Sequence, residues 1–241
     1  MARSSAFAAL LKVQALASAR SFASTFYSII LPSFLFVIFG LVFRIDAEYA
    51  VFFLPGMMGV MASSDALFAV GPVIKAYYQQ GIVREFKNYP VPTAWLFITF
   101  IMVRLVVVAI SSALLVALSA LLFGYLPGPG TLALYGAGVV LCFAIYAFLA
   151  LAISFWGARD GRDQGLISAY YFLGMFLSDA YFVLSARGAW LDAVGYAFPL
   201  KPVLQIMRGD ASALLPAAIW AVLSVSAALF ILSRVRFARA A

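Results

Sequence analysis

Six long apolar stretches alternate with short polar segments along this chain. Each is longer than the roughly 18 residues that indicate a membrane-spanning helix. The pattern therefore predicts six spanning helices, at residues 22–43, 50–73, 94–123, 131–157, 164–186 and 213–233. The third and fourth exceed the ~20 residues that a bilayer requires, so we expect them to tilt or to continue into water.

Composition supports a membrane protein and argues against a soluble domain. The 241 residues are 66% hydrophobic and 10% charged, whereas a soluble globular domain carries roughly 25% charged residues. No flexible linker or internal repeat divides the chain. We therefore predict an all-α integral membrane protein with a single domain at residues 1–241.

Positive charge is concentrated beside alternate spans. Eleven of the 16 Lys and Arg residues precede span one or follow spans two, four and six: Arg3, Lys12, Arg20, Lys75, Arg84, Lys87, Arg159, Arg162, Arg234, Arg236 and Arg239. By the positive-inside rule both termini are predicted to be cytoplasmic. The membrane is predicted to be the cell inner (plasma) membrane. The net charge of +7 thus fits membrane lipids as a partner, and we predict no binding to nucleic acid.

The N-terminal segment 4–20 is predicted to form an interfacial helix. Phe7, Leu10, Leu11 and Leu16 fall near one side, as in a helix that lies on the inner membrane surface. The alternative is a cytoplasmic extension of span one. The segment lacks the pattern of a cleavable secretory signal, so we expect it to be retained.

The sequence KAYYQQGIVREFKNYPVP interrupts the apolar pattern between spans two and three. Ile74, Tyr78, Ile82 and Phe86 recur every four residues, which predicts an amphipathic cytoplasmic helix of about three turns. Prolines at 90 and 92 are expected to end it. Two interpretations remain open: a solvated helix that packs on the membrane face, or a stiff lever that moves spans two and three together.

Three charged residues fall within predicted spans, where charges normally face protein or water. Asp65 and Arg104 lie about 12 and 15 Å from the cytoplasmic ends of spans two and three, so they can form an ion pair or serve substrate passage. Asp179 lies in the outer part of span five. It is predicted either to border an exit path or to orient the outer segment that follows.

The order of several short motifs resembles the permease subunits of ABC-2 type exporters. The resemblance runs from AEYAVFFLPGMMGV through QQGIVREFKNYPVPTAWL and continues in LSDAYFVLSARGAWLDAVGYAFPLKPVLQIMRG. The residues that carry it are Pro55, Gly56, Gly81, Arg84, Glu85, Pro90, Val91, Pro92, Pro199, Leu200 and Arg208. It implies a coupling helix between spans two and three and an outer re-entrant or amphipathic segment between spans five and six, which contains Pro199 and Arg208.

The resemblance also implies partners. None of the four lysines follows the glycine that a phosphate-binding Gly-Lys-Ser/Thr loop requires, so ATP and Mg are expected to bind a separate cytoplasmic ABC ATPase. A second permease copy is expected, with a homodimer favoured over a heterodimer. The residues implied in ATPase coupling are Tyr77, Tyr78, Gly81, Arg84, Glu85, Phe86 and Pro90.

The functional hypothesis is thus a transport subunit and not an enzyme. The chain has no histidine and one cysteine, so we predict no catalytic residues and no metal site. The expected cargo is a hydrophobic or amphipathic compound, such as a drug, natural product, lipid or lipid-linked glycan, that is exported by alternating access. The alternative is an ion-coupled carrier or channel that uses Asp65 and Asp179 as titrating groups.

Overall fold

The computed structural model describes residues 2–22, 26–89, 91–156, 163–183 and 188–234. The chain is 85% helical and the described residues contain no strand, which confirms the all-α prediction. In chain order the α-helices are α1 (Ala2–Arg20), α2 (Leu31–Val42), α3 (Ala47–Asp65), α4 (Gly71–Gln79), α5 (Ile82–Phe86), α6 (Ala94–Phe123), α7 (Pro129–Trp156), α8 (Asp163–Leu177), α9 (Ala189–Gly195), α10 (Leu200–Met207) and α11 (Leu214–Arg234).

Among the described residues, four helices are long and apolar enough to cross a membrane. They are Ala47–Gln79, Ala94–Phe123, Pro129–Trp156 and Ala211–Arg234, and they correspond to predicted spans two, three, four and six. The predicted first span contains a shorter apolar helix, Ser28–Val42, and the predicted fifth span contains the 15-residue α8. Six spans and cytoplasmic termini therefore stay predictions.

The central helix of the bundle is α7. It packs against α3, α4, α8, α10 and α11, and 61% of its most apolar 18-residue window is buried within the chain. The corresponding window of the last span is only 17% buried. The apolar surface of the last span is therefore left for lipid or another protein, as expected of a membrane helix.

The second span is one long helix with two irregularities. Pro55 lies inside α3, where it cannot donate to the carbonyl of Val51. The Tyr135 hydroxyl approaches this carbonyl at 3.5 Å. A π-helical turn, Ala66–Val70, then joins α3 to α4, and Pro72 follows it in the first turn of α4, where a missing backbone donor is tolerated.

The predicted end of span five was wrong. The helix ends at Leu177, and turns and bends occupy 178–182, where the prediction continued the helix. Asp179 adopts a left-handed conformation with φ of 57°, which is incompatible with a continuing α-helix. The turn also lies against the second span, because a Cβ on Gly56 would come within 2.0 Å of the Ala180 carbonyl oxygen.

The predicted three-turn amphipathic helix between spans two and three was also wrong in its bounds. Its first part is the end of the second span, which continues to Gln79. Gly81 then takes φ of 75°, a conformation that glycine adopts without the Cβ penalty of other residues, and α5 starts in a new direction. The four-residue spacing of apolar side chains in the sequence therefore spans two separate helices with a bend between them.

The N-terminal segment is helical as predicted, and α1 packs against the start of α6. The Phe7 ring meets the Trp95 ring edge-on at 5.3 Å. Leu10 and Leu11 are half-buried, whereas Leu16 is exposed, so the grouping of Leu16 with the other apolar residues stays a prediction. Its position on the membrane surface stays a prediction.

Candidate functional site: buried ion pairs and helix α5

A buried polar cluster lies where the second and third spans meet. Arg104 Nε donates to Asp65 Oδ2 at 3.0 Å, and Arg104 Nη2 also donates to Asp65 Oδ1. The Ser28 hydroxyl donates to the same carboxylate at 2.7 Å, and Ser111 donates to the Ser28 carbonyl at 2.7 Å. The two charges form the ion pair that was one of the sequence-based alternatives.

This arrangement favours a structural role. The side chains of Arg104 and Asp65 are 6% and 1% exposed. A guanidinium and a carboxylate joined by two hydrogen bonds hold each other in a fixed orientation in addition to pairing their charges. The cluster joins the first, second and third spans through Ser28, Asp65 and Arg104. Breaking such a pair on one side leaves an uncompensated buried charge, which costs about 3–5 kcal/mol.

A second buried cluster, which we call the Lys201 cluster, consists of Lys201, Asp179 and Asp192. Lys201 is fully buried, and its Nζ lies 3.1 Å from Asp179 Oδ2 and 2.6 Å from Asp192 Oδ1. It also donates to the Asp192 carbonyl at 3.0 Å. The cluster thereby joins the end of α8 to the segment that contains α9 and α10.

Arg208 fixes the end of the same segment. Its Nη2 donates to the carbonyls of Asp179 at 2.7 Å and Phe52 at 3.0 Å, and its guanidinium carbon lies 3.7 Å from the centre of the Phe52 ring. Burial lowers the pKa of Arg208 to about 10, so the side chain stays charged at neutral pH. Pro199 precedes α10 as its N-cap residue.

A further ion pair lies at the end of the second span that is predicted to be cytoplasmic. Lys75 Nζ donates to Asp163 Oδ2 at 2.8 Å, and the two side chains are 9% and 12% exposed. Asp163 is the first residue of α8. The pair therefore ties the second span to the beginning of α8.

The two tyrosines proposed for coupling face the chain's own helices. Tyr78 stacks on Phe97 at 5.9 Å and meets Phe155 edge-on at 5.7 Å. Tyr77 packs against Phe100 at 6.0 Å, and its hydroxyl lies 3.4 Å from the Gln14 side chain. These contacts connect the end of the second span with α6, α7 and α1.

The rest of the proposed coupling set lies on or beside α5. Arg84 and Glu85 are exposed and Phe86 is half-buried, while Val83 is buried. Gly81 makes the bend that precedes α5. Pro90 lies outside the described residues.

The match to a family model decides which family this is. The family model of the ABC-2 type transporter matches residues 5–210, which are most of the chain and include all the ion pairs described above. The chain belongs to the ABC-2 type transporter family. A comparison with curated proteins found no match.

Membership of the ABC-2 family gives these features their context. Its members are membrane-embedded transport components that are generally not catalytic. The apolar helices and the buried ion pairs of this ABC-2 chain are consistent with that class. The ion pairs join neighbouring helices, and Arg84 and Glu85 of α5 are exposed.

Sequence reasoning missed Lys201, Asp192, Lys75 and Asp163 as members of buried pairs. One signal for Lys201 was present, since it is a single lysine in the otherwise apolar beginning of α10, nine residues after Asp192. No such signal existed for Lys75. It stands in a polar stretch, and its partner lies 88 residues further along the chain.

Proposed function

We propose that this chain is the transmembrane permease subunit of an ATP-driven exporter for a hydrophobic or amphipathic compound. The observation that carries the proposal is the family match over residues 5–210, together with the absence of a phosphate-binding lysine loop in the sequence. A transport component of this family without such a loop needs an ATPase on another chain. ATP and Mg would bind to that partner.

The ATPase is proposed to dock on α5. Arg84 and Glu85 supply exposed charges of both signs, and Phe86 supplies an apolar contact, a combination suited to a specific interface. Because Tyr77 and Tyr78 contact α1, α6 and α7, their role in the proposal is to transmit movement of α5 into the bundle. The bend at Gly81 would set the direction in which movement of α5 acts on the second span.

A second copy of the permease is proposed to complete the pathway. The apolar windows of α6 and of the last span are only 28% and 17% buried within the chain, which leaves faces that a second copy can cover. Closed two-fold symmetry makes an identical copy the simplest partner. A mass measurement of the purified complex would distinguish one, two identical and two different permease chains.

The docking proposal is tested with a matched pair of variants. Glu85→Gln changes an exposed carboxylate on α5, and Glu48→Gln changes an exposed carboxylate at the opposite end of the second span. Co-purification with the ATPase and permease-stimulated ATP turnover should fall for Glu85→Gln and not for Glu48→Gln. Unchanged values for Glu85→Gln and for a Phe86→Ala variant would remove α5 from the coupling role.

The ion-coupled carrier is less well supported by the geometry. Such a carrier needs a carboxylate that exchanges ions with water, whereas Asp65 and Asp179 are buried beside Arg104 and Lys201. Transport into membrane vesicles would decide between the two. Activity that persists without ATP and is abolished by a proton uncoupler would support the carrier.

A further inference from the structure

An aromatic pocket of about 340 Å³ lies where the end of the first span, the start of the second span and the turn after α8 meet. It is lined by residues 43–46 from the first span, Tyr49 and Phe53 from α3, and Tyr181 and Phe182 from the turn. We call it the Tyr181 pocket. Its volume is at the lower end of the range for small-molecule sites, about 300–1,000 Å³, so it suits a compact chemical group.

Aromatic rings form most of this pocket. Phe53 and Tyr181 are 2% and 8% exposed and lie at its base, whereas Phe43 and Phe182 are 55% and 47% exposed and lie at its rim. The Phe182 ring meets the Phe43 ring edge-on at 6.0 Å and lies 6.3 Å from the Tyr181 ring. Aromatic rings carry partial negative charge on their faces, so several rings around one concave space favour a cation.

The pocket is held in shape by contacts outside the rings. The Tyr49 hydroxyl donates to the Tyr181 carbonyl at 2.6 Å, which joins α3 to the turn. Two residues earlier in the turn, Asp179 contacts Lys201 and Arg208. A ligand therefore does not have to order these walls, which lowers the entropic cost of binding.

Two side chains of opposite charge, Arg44 and Asp46, also line the pocket. Both residues are exposed. One Asp46 oxygen accepts from the Tyr49 amide at 2.8 Å, and the Arg44 side chain has no hydrogen-bond or ion-pair partner among the described residues. Arg44 also has a left-handed backbone with φ of 50°, which glycine adopts at lower cost. The pocket thus offers an anion site beside a cation site.

The hydrogen bonds of the pocket restrict the kind of cation that fits. A primary ammonium carries three N–H donors, and each donor that loses water without gaining an acceptor weakens binding. The Tyr49 hydroxyl and the Tyr181 carbonyl already pair with each other, so the base of the pocket consists mainly of rings. A quaternary ammonium has no N–H donor and is bound by aromatic rings through cation–π attraction. A phosphate beside it can pair with the guanidinium of Arg44.

We propose that the Tyr181 pocket binds a phosphocholine group. The trimethylammonium lies among the rings beside Asp46, and the phosphate pairs with Arg44. Because the pocket lies at the end of the second span that is predicted to face outward, the group can belong to a membrane lipid or to a soluble phosphocholine ester. The inference concerns binding to the permease chain alone and does not rest on the proposed transport function.

The test is isothermal titration calorimetry of the full-length chain in an uncharged maltoside detergent. The probes are phosphocholine, phosphoethanolamine and 3,3-dimethylbutyl phosphate, in which a carbon atom replaces the quaternary nitrogen. The last probe keeps the shape of phosphocholine without its positive charge. Phosphocholine should bind roughly tenfold more tightly than either of the others, the effect of cation–π attraction to two rings.

Ring variants test the aromatic walls. Phe182→Leu keeps an apolar side chain and removes a ring at the rim, so it should weaken phosphocholine binding roughly two- to fivefold. Phe34→Leu is the matched control, because Phe34 is 57% exposed on the first span and does not line the pocket. The control should bind phosphocholine as the wild type does.

Charge variants separate the two halves of the ligand. Asp46→Asn keeps the helix cap and should weaken binding of phosphocholine but not of 3,3-dimethylbutyl phosphate. Arg44→Gly should weaken binding of both compounds. It should melt no lower than the wild type, because glycine relieves the left-handed backbone at this position.

A lipid probe distinguishes the two sources of the group. Dihexanoylphosphatidylcholine that binds more tightly than phosphocholine would identify a lipid headgroup, whereas equal affinities would identify a soluble ester. Both results support the inference.

Three results would overturn the inference. One is no detectable binding of phosphocholine at millimolar concentration. Another is equal affinity for phosphocholine and 3,3-dimethylbutyl phosphate, as expected if the rings only anchor the helices at the membrane surface. The third is a loss of affinity in Phe34→Leu as large as that in Phe182→Leu.

Discussion

Replacing Lys201 with methionine should strongly destabilise the protein. The ammonium group holds two carboxylates, at 3.1 Å from Asp179 and 2.6 Å from Asp192. Methionine keeps most of the side-chain volume but removes the ammonium group that both acids contact. Removing one member of a buried ion pair costs about 3–5 kcal/mol, which for a chain of this size lowers the melting temperature by roughly 10 °C.

The two carboxylates differ in exposure, and this difference predicts which of them, once neutralised, recovers more of the lost stability. The Asp179 side chain is 10% exposed and that of Asp192 is 33% exposed. Water can therefore compensate Asp192 better than Asp179 in the Lys201→Met variant. Adding Asp179→Asn should recover most of the lost stability, whereas adding Asp192→Asn should recover less. Asparagine also tolerates the left-handed backbone at position 179.

The assay is thermal unfolding of the purified protein in one detergent, followed by helical circular dichroism and by the loss of the monodisperse chromatographic peak. The order of stability should be wild type, Lys201→Met/Asp179→Asn, Lys201→Met/Asp192→Asn and Lys201→Met. A Lys201→Met protein as stable as the wild type would refute the argument. Recovery by Asp192→Asn greater than that by Asp179→Asn would refute the ranking.

Three further predictions concern other parts of the bundle. Arg104→Met should lower the stability of the purified protein by about 3–5 kcal/mol, seen as a lower folded yield and melting temperature. Arg104→Met/Asp65→Asn should restore much of this stability. If it restores none, the loss does not come mainly from the unpaired charge of Asp65. Gly81→Ala should cost about 1–2 kcal/mol in a melting experiment because of the left-handed backbone, and Gly81→Asn should cost less; equal stability of the alanine variant and the wild type would contradict the bend. Gly56→Ala should move the turn at Ala180 and increase proteolysis between α8 and α9, while cleavage at the wild-type rate would mean that the turn can relax.

The lengths of apolar runs predicted the long helices well, because a spanning helix must satisfy its backbone internally and cover itself with apolar side chains. The end of α8 could not be predicted in this way. The residues after Leu177 are still largely apolar, and the turn depends on contacts of Asp179 with Lys201 and Arg208, which are distant in sequence.

The segment between the second and third spans shows the opposite difficulty. Tyr78 and Ile82 fit one helical period, and only the left-handed backbone of Gly81 separates them into two helices. A glycine in a polar stretch does not by itself reveal that conformation. Lys75 was counted among the positive residues that follow span two, whereas the contact with Asp163 places it inside the protein.

The π-helical turn at Ala66–Val70 also sets the angular phase of the second span. Ten residues separate Asp65 from Lys75, and a regular α-helix would place them about 80° apart around the axis. A π turn accommodates about one extra residue and takes back roughly 100° of rotation, so the two side chains point in nearly opposite directions. Asp65 accordingly meets Arg104 on α6 while Lys75 meets Asp163 on α8. Deleting one residue from this turn would keep the helix intact and still rotate one of the two ion pairs out of register.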